Sequence, residues 1–205
     1  MNTRSNLLTS LMIWAYLLPV AFAAERPNLV FILADDLGYG GLHCQGTEWL
    51  ETPRIDQLGR DGMQFTNGHA SHPTCQPSRI AILSGQYAPR TGGYRVMEHH
   101  RGIEHLIKYI VTKLTGLALE KTTFAEAFKA AGYTTAMFGK WHAGNYRKDL
   151  HPRHQGFDEA YVCNSHYDAK RSDPPVDLPA GMDFSEYFTG KAIRFMEGAV
   201  EKDTP

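Results

Sequence analysis

The feature that most constrains the fold is a continuous apolar run at residues 28–34, which ends at the adjacent carboxylates Asp35 and Asp36. Apolar side chains follow one another in this run without polar alternation, and two of them, Val30 and Ile32, are β-branched. Such a pattern predicts a strand that is buried on both faces, as strands of a parallel sheet are. The glycines at positions 38, 40 and 41 mark the turn that leaves this strand.

The rest of the chain alternates between strand and helix patterns. Helices are predicted at 52–62, where Thr52 precedes Pro53, at 76–85, and at 123–132, where Thr123 and Glu126 form a capping box. A further helix is predicted at 183–198, and strands are predicted at 63–66 and 134–138. The order predicts an α/β fold with a mainly parallel sheet flanked by helices.

Two polar clusters directly follow predicted strands. Asp35 and Asp36 come after the first strand, and Lys140 and His142 come after the strand at 134–138. Ligands of open α/β sheets bind outside the carboxyl ends of the strands, so both clusters fall where chemistry is expected. Adjacent carboxylates suit a hard divalent cation, but the same pair also begins many turns.

Composition and the N-terminus limit the partners and the compartment. Acidic and basic residues number 22 and 21, so the net charge is close to zero and does not indicate binding to nucleic acid or acidic membranes.

Residues 1–23 have a basic residue, an apolar stretch and an Ala-Phe-Ala end, which predict a secretory signal peptide cleaved after Ala23. An uncleaved anchor is the alternative, although Pro19 interrupts a run that is short for a membrane span. Residues 24–205 then form one exported domain, periplasmic or extracellular, with no membrane partner after cleavage.

An odd number of cysteines leaves at least one thiol unpaired or chemically used in an oxidising compartment. Cys44 and Cys163 are a possible disulfide, which leaves Cys75. Cys75 stands at a predicted helix start, where exposed amides favour an anion, and Arg79 lies one turn further along the same helix. A buried apolar thiol, a disulfide partner and a nucleophile all remain open. A cysteine phosphatase loop requires arginine six positions after the cysteine, where Ala81 stands, and zinc binding requires a second cysteine nearby.

Residues 99–120 carry apolar side chains at helical spacing. A helix packed on its own core is favoured over a substrate-covering or membrane-surface helix.

Several segments, taken in order, resemble the sulfatase family. The stretch Cys75-Gln76-Pro77-Ser78-Arg79 and the residues that follow it to Gly85 resemble the family signature. Further similar segments are residues 28–40, 52–58, 62–67, 131–135, 139–144 and 156–158. The resemblance covers most of residues 27–160 and implies the alkaline-phosphatase-like sulfatase fold, of which residues 24–205 form the N-terminal part of the catalytic domain.

The resemblance also implies roles for individual residues. Cys75 would be oxidised during export to formylglycine by a formylglycine-generating enzyme, and its hydrate would attack the sulfur of a sulfate ester. Asp35, Asp36 and residue 75 would hold one divalent cation, calcium by family expectation. Arg79 would steady the modified side chain, Lys140 would bind the sulfate, and His142 would hydrogen-bond a formylglycine hydroxyl. A solvated loop charge at Lys140 and a structural histidine at His142 are the alternatives.

The implied substrate is an aryl or carbohydrate sulfate, a sulfated small molecule or glycan. The family's remaining metal ligands, second lysine and second histidine normally come later in a longer chain, and no matching segment precedes Pro205. The sequence therefore predicts an incomplete fold and half of an active site. A phosphonate or phosphodiester hydrolase of the same superfamily and a catalytically inactive fragment are the competing functions.

Overall fold

The computed structural model describes residues 26–91, 93, 116–144, 147–163 and 172–205. The predicted signal peptide and most of the apolar segment at 99–120 lie outside these residues. The chain divides into a first unit, Met1–Val30, and a second unit, Phe31–Pro205. Residues 26–30 of the first unit contain no helix or strand. In the second unit the helices are α1 (Pro53–Asp61), α2 (Cys75–Ser84), α3 (Ala88–Thr91), α4 (Phe124–Ala130) and α5 (Phe184–Glu201).

Two parallel strands, β1 (Ala136–Gly139) and β2 (Glu159–Val162), form the sheet of the described chain. Their register pairs Ala136 with Glu159 and Gly139 with Val162. Short 3-10 turns lie at His43–Gln45, Lys148–Leu150 and Pro152–His154. The parallel pair with helices around it confirms the predicted α/β class.

Side chains of the sheet alternate between two helical layers. Met137, Ala160 and Val162 lie on the face that packs into the main hydrophobic core, whose other members come from α2, α4 and the segments beside them. On the opposite face Phe138 stacks against Tyr161 and meets Phe195 of α5, with ring centroids 6.0 Å apart in each pair. The sheet is therefore covered by helices on both sides, as parallel sheets require.

Local sequence signals account for the helix ends. Thr123 accepts a hydrogen bond from the Glu126 amide while the Glu126 carboxylate accepts one from the Thr123 amide, so the predicted capping box is present. The helix that begins at Cys75 ends at Gly85, whose φ of 65° suits a residue without Cβ. Asp183 accepts a hydrogen bond from the Glu186 amide and caps α5.

Two strand predictions were wrong. Residues 28–34 form no strand, and the side chain of Ile32 is 84% exposed. Residues 63–66 also form no strand, and Met63 and Phe65 are exposed. An apolar run becomes a strand only where a neighbouring strand supplies hydrogen bonds, and within the described ranges none pairs with either segment.

The possible disulfide between Cys44 and Cys163 is not formed. No disulfide joins any of the three cysteines, all of which the structure describes. Cys44 is exposed on a 3-10 turn, whereas Cys163 is buried directly after β2. None of the helices in the described part of the chain combines the length and apolarity needed to cross a membrane.

Candidate active site

Asp35 is held between two cationic side chains at the carboxyl end of the sheet. The Lys140 ammonium Nζ lies 2.7 Å from Asp35 Oδ2, and Arg79 Nη2 lies 3.2 Å from Oδ1. All three side chains are partly buried, with exposed fractions of 20%, 17% and 12% for Asp35, Lys140 and Arg79. Arg79 is 44 positions and Lys140 is 105 positions from Asp35 along the chain, yet both side chains contact the same carboxylate.

The two cations determine the protonation of Asp35. Burial by itself raises the pKa of this carboxyl, but the hydrogen bonds and charges of Lys140 and Arg79 outweigh burial and lower the pKa to about 2. Asp35 is therefore an anion at neutral pH, and its charge is shared by both partners.

Arg79 also ties α2 to the segment that follows β1. Its Nη1 donates to the carbonyl oxygen of Lys140 at 2.5 Å, while its Nη2 faces Asp35. The arginine lies one helical turn after Cys75 on α2. One guanidinium consequently fixes the relative positions of three segments that the sequence predicted to meet.

Cys75 is the first residue of α2 and is half-buried. Thr74 before it has extended backbone dihedrals and acts as the N-cap residue. The backbone amides of a helix's first turn and its macrodipole favour negative charge at this end. The predicted helix start at the cysteine is confirmed, and the local field suits an anion next to residue 75.

Lys140 and His142 lie on a segment whose alternate residues are buried. Trp141 is 3% exposed and Ala143 is fully buried, so the two polar side chains project from the other side of the chain. His142 has φ of 56°, in the left-handed region that non-glycine residues seldom adopt. Burial lowers the pKa of its imidazole to about 4, helped by the nearby charges of Lys140 and Arg79. The imidazole is neutral at pH 7 and able to accept a proton.

Asp36 supplies the second carboxylate of the predicted cation site. It is exposed and has φ of 56°, which turns the chain sharply directly after Asp35. Carboxylate oxygens suit calcium chemically, but calcium takes six to eight oxygen ligands. Among the described residues no three histidine, cysteine or acidic side chains are grouped to hold a metal ion, and both Asp35 oxygens bond to cationic side chains. These residues therefore do not make a complete cation site by themselves.

Sequence reasoning missed the buried groups behind the site. Trp141 donates its indole N–H to the carbonyl of Leu150, and Gln155 is buried beside it with its amide directed at the same carbonyl. The only sequence feature that could have indicated these buried groups is the position of Trp141 between Lys140 and His142. Neither Leu150 nor Gln155 belongs to a motif that carries chemistry.

Comparisons with known proteins agree with this geometry. The family model Sulfatase matches residues 27–204. Rat (Rattus norvegicus) arylsulfatase G is 42% identical over 135 residues, which are 66% of this chain and 23% of the relative. The chain thus spans about a quarter of the length of this relative.

Solved structures share the fold. Ps i-CgsB in complex with k-i-k-neocarrahexaose superposes with a TM-score of 0.71 at 25% identity, over 88% of this chain and 43% of that one. BT4656 in complex with its substrate D-glucosamine-2-N,6-O-disulfate gives 0.65 at 26% identity, over 88% of this chain and 33% of that one. The model match extends over most of the chain and includes every residue of the Asp35, Arg79 and Lys140 cluster. The chain belongs to the sulfatase family.

Proposed function

We propose that this chain is part of an exported sulfatase that hydrolyses sulfate esters at the site formed by Asp35, Cys75, Arg79, Lys140 and His142. The observation that carries the proposal is the convergence of Lys140 and Arg79 on Asp35 beside the helix that begins at Cys75. Two cations and a helix N-terminus at one corner of the sheet suit the anionic sulfate group of an ester.

Residue 75 is proposed as the nucleophile after oxidation to formylglycine by a formylglycine-generating enzyme. That modification supplies a hydrated aldehyde with two hydroxyls: one attacks sulfur and displaces the alcohol or phenol of the ester, and the other then loses its proton so that the aldehyde re-forms and sulfate is expelled. Arg79 steadies residue 75 from one turn along the helix. Lys140 contributes positive charge toward the sulfate oxygens, because its ammonium is only partly buried and faces the site.

His142 is proposed to move a proton at residue 75. Its imidazole is neutral at pH 7 because its pKa is about 4, so it can accept a proton from a hydroxyl. The substrate is proposed to be a sulfated aryl compound or glycan. The relatives named arylsulfatase G and the solved complex with D-glucosamine-2-N,6-O-disulfate support this class of substrate.

Asp35, Asp36 and residue 75 are proposed as the residues of this chain that would hold a divalent cation, calcium by family resemblance, which would supply positive charge next to the sulfate oxygens. Further ligands would come from outside the described residues, because these residues hold too few for calcium.

The decisive experiment is intact-mass and peptide-mass analysis of the protein exported from a host with a formylglycine-generating enzyme. We expect the Cys75 peptide to lose the mass that conversion of a thiol to an aldehyde removes. Aryl sulfate and aryl phosphodiester are then assayed in parallel, with Cys75→Ala as the inactive variant and Cys44→Ala as the matched control. An unmodified Cys75 peptide, or a strong preference for the diester, would contradict the proposal.

A further inference from the structure

The segment that carries Lys140 and His142 is anchored from behind by buried groups that take no part in the proposed chemistry. Trp141 and Ala143 point into the hydrophobic core, whereas the residues between and before them face the site. Because buried and half-buried residues alternate from Lys140 to Ala143, fixing the buried pair also restricts the direction of the polar pair.

Trp141 makes the direct anchor. Its indole Nε1 donates to the carbonyl oxygen of Leu150 at 2.9 Å, a buried hydrogen bond of good length. Its ring meets Phe157 edge-on, with centroids 5.9 Å apart and planes at 87°. The indole is therefore held both by a polar bond and by aromatic packing, so its rotation about the chain is blocked.

Ala143 provides a second anchor, and Gln155 joins the two. The Ala143 carbonyl accepts a hydrogen bond from the Leu117 amide at 2.8 Å. The buried Gln155 amide Nε2 lies 3.3 Å from the Leu117 carbonyl and 3.4 Å from the Leu150 carbonyl. Gln155 thus links Leu117, which binds Ala143, to Leu150, which binds Trp141. Its two hydrogen bonds are longer than the bond that Trp141 donates to Leu150.

His142 has a strained backbone conformation, which the buried contacts of Trp141 and Ala143 must stabilise. His142, with φ of 56°, occupies a conformation that costs about 1–2 kcal/mol for an L-residue. A strained residue persists only where its surroundings hold it in place. On the site side the Lys140 carbonyl accepts from Arg79, and the Lys140 ammonium reaches Asp35.

We propose that Trp141 is a positioning residue, whose indole N–H bond to the Leu150 carbonyl holds the Lys140 ammonium on Asp35 and His142 in its left-handed conformation. The indole acts through the backbone and touches neither charge. The catalytic consequence rests on the proposed function, whereas the placement of Lys140 can be measured without turnover.

The test uses the full chain and the Trp141→Phe variant, which retains an aromatic ring against Phe157 but removes the indole N–H. Trp49→Phe is the matched control, because Trp49 is 83% exposed. The probe is the ammonium signal of Lys140 in a nitrogen-15 NMR spectrum, whose exchange with water is slowed by the bond to Asp35. Loss of one buried hydrogen bond predicts about tenfold faster exchange in Trp141→Phe and no change in Trp49→Phe.

A role confined to stability would lower the melting temperature of Trp141→Phe and leave the Lys140 signal in place, and that result would overturn the proposal. Should Trp141→Phe fail to fold, the natural chain carries the test: exchange of the Trp141 indole proton and of the Lys140 ammonium protons is followed as urea is raised below the unfolding transition. We expect the two rates to rise together, because opening of the indole bond frees Lys140. Lys140 exchange that rises while the indole proton stays protected would overturn the proposal.

Turnover is measured separately on aryl sulfate, where Trp141→Phe should lower kcat/KM about tenfold relative to Trp49→Phe. Absence of activity in every variant, including the natural sequence, would count against the proposed function. The NMR result on Lys140 would still test the positioning role of Trp141 in that case, because it does not depend on turnover.

Discussion

Asp35 is the residue on which the charge balance of the site depends, because its two carboxylate oxygens are divided between a lysine and an arginine. The pair of cations leaves the cluster with one excess positive charge, which favours a bound anion. Sequence patterns could predict that Asp35 and Lys140 share one edge of the sheet, since each follows a predicted strand, although only the strand before Lys140 forms. They could not predict that Lys140 bonds directly to Asp35, because that contact joins residues 105 positions apart.

Lys140→Met tests how much the ion pair contributes. The folded pKa of Asp35, about 2, lies below its ordinary value of 3.8, so its contribution to stability is present above pH 3.8 and is lost as pH falls toward 2. Removing Lys140 should lower the free energy of unfolding at pH 7 by on the order of 1 kcal/mol, because solvent partly screens the pair.

The measurement is urea unfolding of the natural chain and the variant at pH 7 and pH 2.5. The exposed Lys148 provides a matched control in Lys148→Met, which should behave like the natural chain. The difference between Lys140→Met and the natural chain should shrink at the lower pH. A constant difference at both pH values would show that packing, and not charge, explains the loss.

His142 should make the chain less stable in mild acid. Its folded pKa of about 4 lies below the ordinary histidine value of 6.5, so between these pH values the unfolded chain binds a proton that the folded chain does not. The free energy of unfolding should fall by about 2 kcal/mol as pH drops through this window, after allowance for solvent screening. His142→Asn removes the titrating group and keeps a residue that tolerates a positive φ.

The prediction is checked by unfolding curves from pH 7 to pH 4 and by NMR titration of the His142 ring protons. His154→Asn is the control, since His154 is exposed. The His142→Asn variant should show a flatter pH profile than the control. An imidazole midpoint near 6.5 in the natural chain would be incompatible with the buried position of His142.

At the scale of elements, α4 is the helix whose start is most fully specified by its own sequence. The capping box between Thr123 and Glu126 was predictable because both partners lie within one turn. The hydroxyl of Thr123 has a second bond, to the Gln155 carbonyl at 2.8 Å, which the sequence could not reveal. One threonine thus caps α4 and fastens it to the turn that leads into β2.

Thr123→Ala should therefore cost more than the loss of an ordinary cap. Removing a capping hydroxyl costs about 1 kcal/mol, and the Gln155 carbonyl left behind in the core adds a comparable penalty, for about 2 kcal/mol together. The neighbouring Thr122 is exposed, so Thr122→Ala is a matched control expected to change stability by less than about 0.5 kcal/mol. Chemical denaturation of both variants measures the difference, and equal losses would show that the cap is not what Thr123 contributes.

The segment at residues 156–158, which resembles the sulfatase family, contains a glycine whose physical reason is clear only from the structure. Gly156 has φ of 97°, and a Cβ there would lie 2.3 Å from the Glu126 backbone nitrogen. A side chain at this position would thus collide with the first turn of α4. The sequence singles out this glycine only by resemblance, whereas the structure supplies its physical reason, which is the close approach of two backbones.

At the scale of the whole molecule, the described residues bury a core between the sheet and its helices but leave the apolar residues 31–33 exposed. Ile80 and Leu117 are fully buried in the core, whereas Phe31, Ile32 and Leu33 are 57%, 84% and 43% exposed. The apolar pattern at 28–34 correctly indicated side chains suited to burial. It failed as a strand prediction because burial on both faces requires neighbours that the pattern itself cannot supply.

Exposed consecutive apolar residues with unpaired backbone groups favour association between chains. Ile32→Lys places a charge at the most exposed of these positions and should reduce self-association of the chain at least severalfold without lowering its melting temperature. The physical reason is that the side chain makes little use of the core, so its replacement costs little, while a charge opposes edge-to-edge pairing.

Light scattering as a function of protein concentration measures the association, with Val200→Lys as the control. Val200 is 70% exposed on α5, so this control makes the same change in net charge at a site remote in sequence from residues 31–33. Ile32→Lys should suppress association more than Val200→Lys does, since general charge repulsion acts equally in both. Equal suppression by the two variants would assign the effect to net charge, and a fall in the melting temperature of Ile32→Lys would show that residue 32 is buried in solution.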